Sequence, residues 1–284
     1  MNKLLRTAGL CFFVITAHAI TVTPGGTPAN LIAALTNAGS GLTVNSLTIS
    51  GNGTGAGASW GTYTNVSGTY GIGSGIIIST GKASDYGDGP NSVPDNSTNF
   101  GTPATISQSG LLAPIGGAGT YHDVTEIDVN FNLDATHDTV FFNVVFGSEE
   151  FPDFVGFDFI DGFGLLVNGT NIAFVGGLPV NINNPAFTPI AGTELNGVLA
   201  PGGLPAVTFS KTVGFGATNN TLQFVIADKS DGNFDSTAYF AGLGGVAPSS
   251  GGTTPSSVPE PASLALLSTL VIGLAWTNRK RLSI

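Results

Sequence analysis

The segment VTEIDVNFNL, residues 124–133, alternates apolar and polar side chains over its whole length. Successive side chains of a β-strand point to opposite faces of the sheet, so this alternation predicts one buried and one solvated face. A second strand-length segment, TVFFNVVF, follows at residues 139–146. The alternation therefore predicts a half-buried strand in a β-rich domain.

Further strand-length segments lie before and after these two. They are residues 42–50, 75–80, 163–167, 171–175, 206–211, 221–227 and 238–243. Gly, Asn, Asp and Pro separate them, and one short helix is predicted over Pro28–Leu35. Strands this short and numerous, without long helices between them, predict an all-β fold, namely an antiparallel β-sandwich of jelly-roll-like form.

The N-terminus has the organisation of an export signal. Lys3 and Arg6 precede an apolar stretch, and the small residues Ala17 and Ala19 flank His18. This pattern predicts a signal peptide over residues 1–19 that is cleaved after Ala19. Cys11, the single cysteine, leaves with it, so the exported domain over residues 20–246 has no disulfide.

The C-terminus has three parts after a polar linker at residues 247–257. Pro259, Glu260 and Pro261 precede an apolar run over 262–276 and a basic tail. The apolar run predicts a transmembrane anchor within residues 258–284, and its positive end is expected to stay cytoplasmic. The order resembles the PEP-CTERM sorting signal. This resemblance implies processing by an exosortase, a membrane protease-transpeptidase of bacteria that secrete exopolysaccharide, so that the anchor is transient.

The exported region is strongly acidic. Residues 20–257 contain three lysines, no arginine and seventeen acidic residues, which gives a formal net charge of −14. Such a charge argues against nucleic acid and anionic membrane surfaces as partners, and it suits cations.

The stretch FGSEEFPDFVGFDFIDGFG, residues 146–164, places five carboxylates among six phenylalanines. No Lys or Arg occurs from residue 83 to residue 210, so ion pairs cannot neutralise these acids. Water, backbone amides or a bound hard cation remain, and an oxygen-rich cluster suits Ca²⁺. Glu149 and Glu150 are adjacent, so on a strand only one of them is expected to face the core, toward Asp161.

A second acidic cluster lies in the segment IADKSDGNFDS, residues 226–236. Its carboxylates are compatible with an Asx-turn between two strands or with a metal site, and the spacing is not that of an EF-hand. The two stretches together predict a candidate Ca²⁺ site. Its proposed ligands are Glu150, Asp161, Asp228, Asp231 and Asp235.

Three motifs resemble the choice-of-anchor L domain. They are FGSEEF (146–151) followed by DGFG (161–164), GIIISTG (75–81), and IAD (226–228) followed by Asp231, Asp235 and Ser236. The likeness extends from about Ala29 to Gly244. It implies a surface protein whose family members vary in their C-terminal anchors and have no established enzymatic activity. Ile160 departs from the pattern, because an Asn commonly stands there and could supply a further oxygen ligand.

The sequence thus predicts a non-enzymatic protein that is exported to the cell surface or extracellular space. Its role is structural or adhesive in an exopolysaccharide or biofilm matrix, with matrix glycans or proteins as partners. An alternative is a carbohydrate-binding module in which exposed Trp60, Tyr63 or Tyr70 stack on sugar rings. A third hypothesis is a glycan-active hydrolase that uses Glu150 and Asp161 as paired carboxylates.

Overall fold

The computed structural model of the protein describes residues 20–37, 39–87, 89–190 and 193–246. The predicted signal peptide with Ala19, the linker, and the sorting motif Pro259-Glu260-Pro261 with its apolar segment lie outside the described residues. Within those residues, no helix is long and apolar enough to cross a membrane.

The described ranges contain fifteen β-strands and two α-helices. The strands are β1 (Thr21–Pro24), β2 (Leu42–Ser50), β3 (Trp60–Thr64), β4 (Gly75–Ser79), β5 (Tyr121–Leu133), β6 (Thr139–Ser148), β7 (Gly162–Val167), β8 (Thr170–Asn171), β9 (Phe174–Val175), β10 (Leu178–Pro179), β11 (Phe187–Thr188), β12 (Gly197–Leu199), β13 (Val207–Thr212), β14 (Asn220–Lys229) and β15 (Ser236–Val246). The helices are α1 (Pro28–Leu35) and α2 (Ile106–Gly116). The predicted mainly antiparallel β architecture is confirmed.

The strands form two large antiparallel sheets and one small ribbon. The first sheet has eight strands in the order β1-β3-β4-β15-β6-β12-β11, and β13 also pairs with β6. The second sheet has five strands in the order β2-β5-β14-β7-β8, while β9 and β10 form the ribbon. Side chains of both large sheets contribute to one apolar core, as expected of a sandwich. The jelly-roll likeness remains a prediction.

The alternation that predicted β5 is seen in its burial. Ile127, Val129, Phe131 and Leu133 are buried, and the residues between them are partly exposed. Aromatic side chains connect the sheets, because Phe142 of β6 contacts Phe224 of β14 edge to face with ring centroids 5.6 Å apart. Burial of one such side chain stabilises the fold by roughly 1.5–3 kcal/mol.

The two helices differ in how well the sequence predicted them. Helix α1 has the predicted bounds, with Thr27 as its N-cap and Pro28 in its first turn. Helix α2 was not predicted. It begins after Thr105, whose hydroxyl and backbone amide exchange hydrogen bonds with Gln108 in a capping box. Its buried Leu112 packs against the outer side of the second sheet, among side chains of β5, β7 and β14.

Candidate functional site

The candidate site lies where strand ends of both sheets meet. Strands β4 and β6 end at Ser79 and Ser148, and β15 begins at Ser236, which is paired with Ser148. In the other sheet, Ala227 near the end of β14 is paired with Gly162 at the start of β7. Antiparallel pairing therefore brings the FGSEEF, DGFG and IAD motifs to one end of the sandwich.

Three of the five predicted ligands lie together at this end. The backbone amide of Asp161 donates a hydrogen bond to Oε2 of Glu150 (3.4 Å). Oδ1 of Asp161 accepts one from the Lys229 amide (3.2 Å), and Oδ2 accepts one from the Ser236 hydroxyl (2.7 Å). Burial and the charge of Asp161 raise the pKa of Glu150, and burial also raises the pKa of Asp161, to about 8.

Asp228 is the third of these ligands, and its carboxylate lacks hydrogen-bond donors. It is 0 % exposed, and neither of its oxygens accepts a hydrogen bond. The pKa of Asp228 is raised well above its ordinary value, first by burial and then by the charge of Asp161. The Thr80 side chain lowers that pKa, but less than burial and the charge of Asp161 raise it. A buried carboxylate in this condition requires a proton or a cation.

The other two predicted ligands lie beside this group. Oδ1 of buried Asp235 accepts a hydrogen bond from the Thr98 amide (2.9 Å), while Oδ2 has no hydrogen-bond partner. Burial raises the pKa of Asp235 to about 7. Asp231 is partly exposed and accepts a hydrogen bond from the Asn233 amide (3.3 Å), as in an Asx-turn. Asp231 therefore lies at the rim of the cluster.

Asp123 is a buried acid that sequence reasoning did not select, and backbone amides supply its hydrogen-bond donors. Its carboxylate accepts hydrogen bonds from the amides of Phe100 (2.8 Å), Gly101 (3.4 Å) and Thr102 (2.7 Å). Three amide donors stabilise an ionised carboxylate without any counter-ion. The sequence offered no signal for this, because the donors come from a loop about twenty residues away.

The prediction that only one of Glu149 and Glu150 faces inward is wrong. Both are buried, with 2 % and 1 % of their surfaces exposed. Strand β6 ends at Ser148, so the two glutamates lie in a turn where strand alternation no longer applies. Oε2 of Glu149 accepts a hydrogen bond from the Asp95 amide (3.2 Å), Oε1 has no hydrogen-bond partner, and burial raises the pKa of Glu149 to about 8.

Positive charge is scarce around this end of the domain. Lys229 forms an ion pair with Asp158 (2.9 Å), which is itself a highly exposed side chain. Among the residues that the structure describes, no three His, Cys, Asp or Glu side chains converge closely enough to hold one metal ion. The donor set has the oxygen chemistry that Ca²⁺ prefers, but its carboxylates would have to shift to surround an ion.

The expectation of exposed sugar-stacking aromatics is wrong for two of the three residues named. Tyr63 and Tyr70 are buried, and Trp60 is only partly exposed. Tyr63 packs edge to face on Tyr239, with ring centroids 5.4 Å apart. Glu150 and Asp161 are also buried, so this carboxylate pair is not accessible to a glycan and does not support the hydrolase hypothesis.

Fold and site together define a disulfide-free antiparallel β-domain with a buried acidic centre at one end of the sandwich. The family model for the choice-of-anchor L domain matches residues 21–191, and the chain belongs to that family. The family is one of exported proteins anchored at the cell surface. Comparisons with curated proteins and with solved structures give no match. The third motif, at residues 226–236, lies beyond the matched range but completes the acidic centre in space.

Proposed function

We propose that this protein is a non-enzymatic structural or adhesive component of an exopolysaccharide or biofilm matrix. Family membership supports presentation at the cell surface. The Pro259-Glu260-Pro261 motif, the apolar run and the basic tail support presentation through exosortase processing, with a transient membrane anchor before cleavage. The partners are exopolysaccharide or other matrix proteins, and the net negative charge disfavours nucleic acid.

The proposal includes a stabilising Ca²⁺ ion at the acidic centre. The observation that carries it is Asp228, a fully buried carboxylate whose two oxygens accept no hydrogen bond. Asp161 and Glu150 would complete the inner ligand set, with Asp235 and Asp231 beside them. The ion would supply the positive charge that the surrounding chain lacks, and it would fasten strand ends of both sheets in a domain without disulfides.

Thermal unfolding of the purified full chain, with Ca²⁺ and with EGTA, tests this part of the proposal. We expect chelation to lower the melting temperature by several degrees, because an ion that binds only the folded state stabilises it. The Asp228→Asn variant should lose this response. Asp153→Asn is the matched control, since Asp153 is an exposed acid of the same stretch and should keep the response.

Equal melts with and without chelator, together with no bound metal by mass spectrometry, would contradict the calcium proposal. Protons on Asp228 and its neighbours would then neutralise the centre. The structural and surface role does not depend on this result.

The route to the surface needs a separate experiment in the producing organism. Replacing Pro259, Glu260 and Pro261 by alanine should leave an uncleaved chain in the membrane fraction, since the motif is the proposed recognition element. The unchanged chain should appear in its shortened form at the surface or in the matrix. Identical processing of both chains would contradict exosortase recognition of this motif.

A further inference from the structure

A cavity of about 290 Å³ lies beside the acidic centre and has no role in the proposed calcium site. Its polar lining residues are Asp85, Tyr86, Asn91, Ser92, Asn96, Glu149 and Glu194. The volume is far larger than the ~30 Å³ of one water molecule. It approaches the roughly 300 Å³ at which small-molecule sites begin.

The acidic lining of the cavity suits a cationic ligand, whose charge would favour ionisation of the carboxyl groups in the wall. Glu149 and Glu194 are both more than nine-tenths buried, and Asp85 lies at the exposed rim. No lysine, arginine or histidine is among the described residues that line the cavity. Oε1 of Glu149 is buried and accepts no hydrogen bond, which leaves a strong acceptor in the wall without a donor.

The wall around Glu149 is held in place by an amide network. The side-chain amide of Asn196 donates to the backbone carbonyl of Glu149 (2.9 Å) and to Oδ1 of Asp95 (2.7 Å). Asn91 in turn donates to the side-chain oxygen of Asn196 (2.7 Å). These bonds join the segment that carries Asn91 and Asp95 to the turn that carries Glu149, so these two parts of the cavity wall are fixed relative to each other.

An organic ammonium group fits this lining better than a metal ion does. A metal would need several carboxylates around one point, whereas this lining has two buried carboxylates and a third at the exposed rim, and the three do not converge. A protonated primary amine carries three N–H donors on a compact charge, so it can bond carboxylates that lie further apart. The amides of Asn91 and Asn96 and the Ser92 hydroxyl add donors and acceptors that suit the hydroxyl groups of a sugar.

We propose that this cavity binds an amino sugar, with the protonated amine against Glu149 and Glu194 and the sugar hydroxyls against Asn91, Ser92 and Asn96. The choice of a sugar as the carrier of the amine rests on the proposed matrix role. The site would recognise a hexosamine unit whose amine is free rather than acetylated, because acetylation removes the positive charge.

Calorimetric or NMR titration of the full chain with glucosamine tests the proposal, with N-acetylglucosamine and glucose as neutral controls. We expect binding of glucosamine that is at least tenfold tighter than binding of either control. Glu149→Gln keeps the side-chain shape and the acceptor for the Asp95 amide, so it should fold and should weaken glucosamine binding roughly tenfold or more. Glu126→Gln removes a half-buried acid of β5 away from the cavity and should bind like the unchanged chain.

Absence of glucosamine binding, equal binding of N-acetylglucosamine, or an unchanged affinity in Glu149→Gln would overturn the proposal. Displacement of glucosamine by Ca²⁺ would also overturn it, since the cavity would then be a metal site. The chelator response of Glu149→Gln separates this inference from the proposed function, because that response should persist when amino-sugar binding is lost.

Discussion

Asp123 and Asp228 are both fully buried, but their carboxylates differ in hydrogen bonding. Asp123 accepts three backbone amide hydrogen bonds, whereas Asp228 accepts none. Amide donors stabilise the carboxylate of Asp123, whereas burial without donors raises the pKa of Asp228 well above its ordinary value. The two residues therefore have different expected roles. Asp123 holds a loop in place through its hydrogen bonds, and Asp228 is expected to bind a proton or a cation.

Replacement of Asp123 by alanine should destabilise the domain. The amides of Phe100, Gly101 and Thr102 would lose their acceptor, and each buried donor left unpaired costs about 1–3 kcal/mol. Because these amides are only partly buried, we expect the free energy of unfolding to fall by roughly 2–4 kcal/mol in total.

Urea unfolding of the purified chain measures this change. Asp153→Ala, at an exposed acid, is the control and should change the free energy of unfolding by less than about 0.5 kcal/mol. Similar stability of the two variants would show that water replaces Asp123 at these amides.

For individual residues, the sequence predicted that the buried acids need neutralisation, but it did not show which group stabilises each one. The lack of Lys and Arg over residues 83–210 indicated that the buried acids need another form of neutralisation. Which acids receive amides depends on loop geometry that no local pattern encodes, as Asp123 shows. Glu149 was misplaced because strand alternation was extended to Glu149 and Glu150, two residues beyond the end of β6.

Among the elements, strand prediction was accurate where the alternating or apolar pattern is continuous. Strand β2 has the predicted bounds of residues 42–50, and α1 has the predicted bounds of residues 28–35. Short strands such as β1, β3 and β12 were missed, because four, five or three residues carry too little periodicity to stand out from loops. Their pairing partners, which are distant in sequence, stabilise them.

Helix α2 was missed because its sequence ISQSGLLAPIG contains Gly110 and Pro114 and has no clear apolar face. Its position depends on contact with the sheet, and buried Leu112 provides that contact. Leu112→Ala should lower the free energy of unfolding by about 2–5 kcal/mol, because it leaves a cavity between helix and sheet.

Ile106→Ala is the matched control for this prediction, since Ile106 belongs to the same helix and is 95 % exposed. Its effect in chemical unfolding should stay within about 0.5 kcal/mol. Equal losses for the two variants would mean that the helix contributes through its own propensity rather than through packing on the sheet.

The whole molecule concentrates uncompensated acid at one end of the sandwich, and this should give an unusual dependence of stability on pH. Asp161 is surrounded by Glu150, Asp228 and Asp235, and Lys229 contacts it only through the backbone amide. After burial, the charges of Asp85 and Asp123 raise the pKa of Asp235, and the charges of Asp235 and Asp95 raise the pKa of Glu149. Burial raises the pKa of Asp235 to about 7 and that of Asp161 and Glu149 to about 8.

The sign of the effect follows from proton binding in the folded and unfolded states. Between about pH 4 and pH 8 the folded, metal-free chain holds protons on these carboxyls that the unfolded chain has released, so the free energy of unfolding falls as pH rises. Each group changes that free energy by about 1.4 kcal/mol per pH unit across its window. The hydrogen bond with His137 lowers the pKa of exposed Asp134 to about 2, so this group affects the free energy of unfolding only below this pH range.

In EGTA, the melting temperature of the full chain should therefore be highest near pH 4–5 and should decline toward pH 8. Saturating Ca²⁺ should flatten the decline, because an ion at the acidic centre replaces the protons that Asp161 and Asp228 would otherwise need. Asp235→Asn should reduce the decline in EGTA, since it removes one of the groups with a raised pKa. A melting temperature in EGTA that stays constant or increases from pH 5 to pH 8 would show that these carboxylates are already compensated in the folded chain.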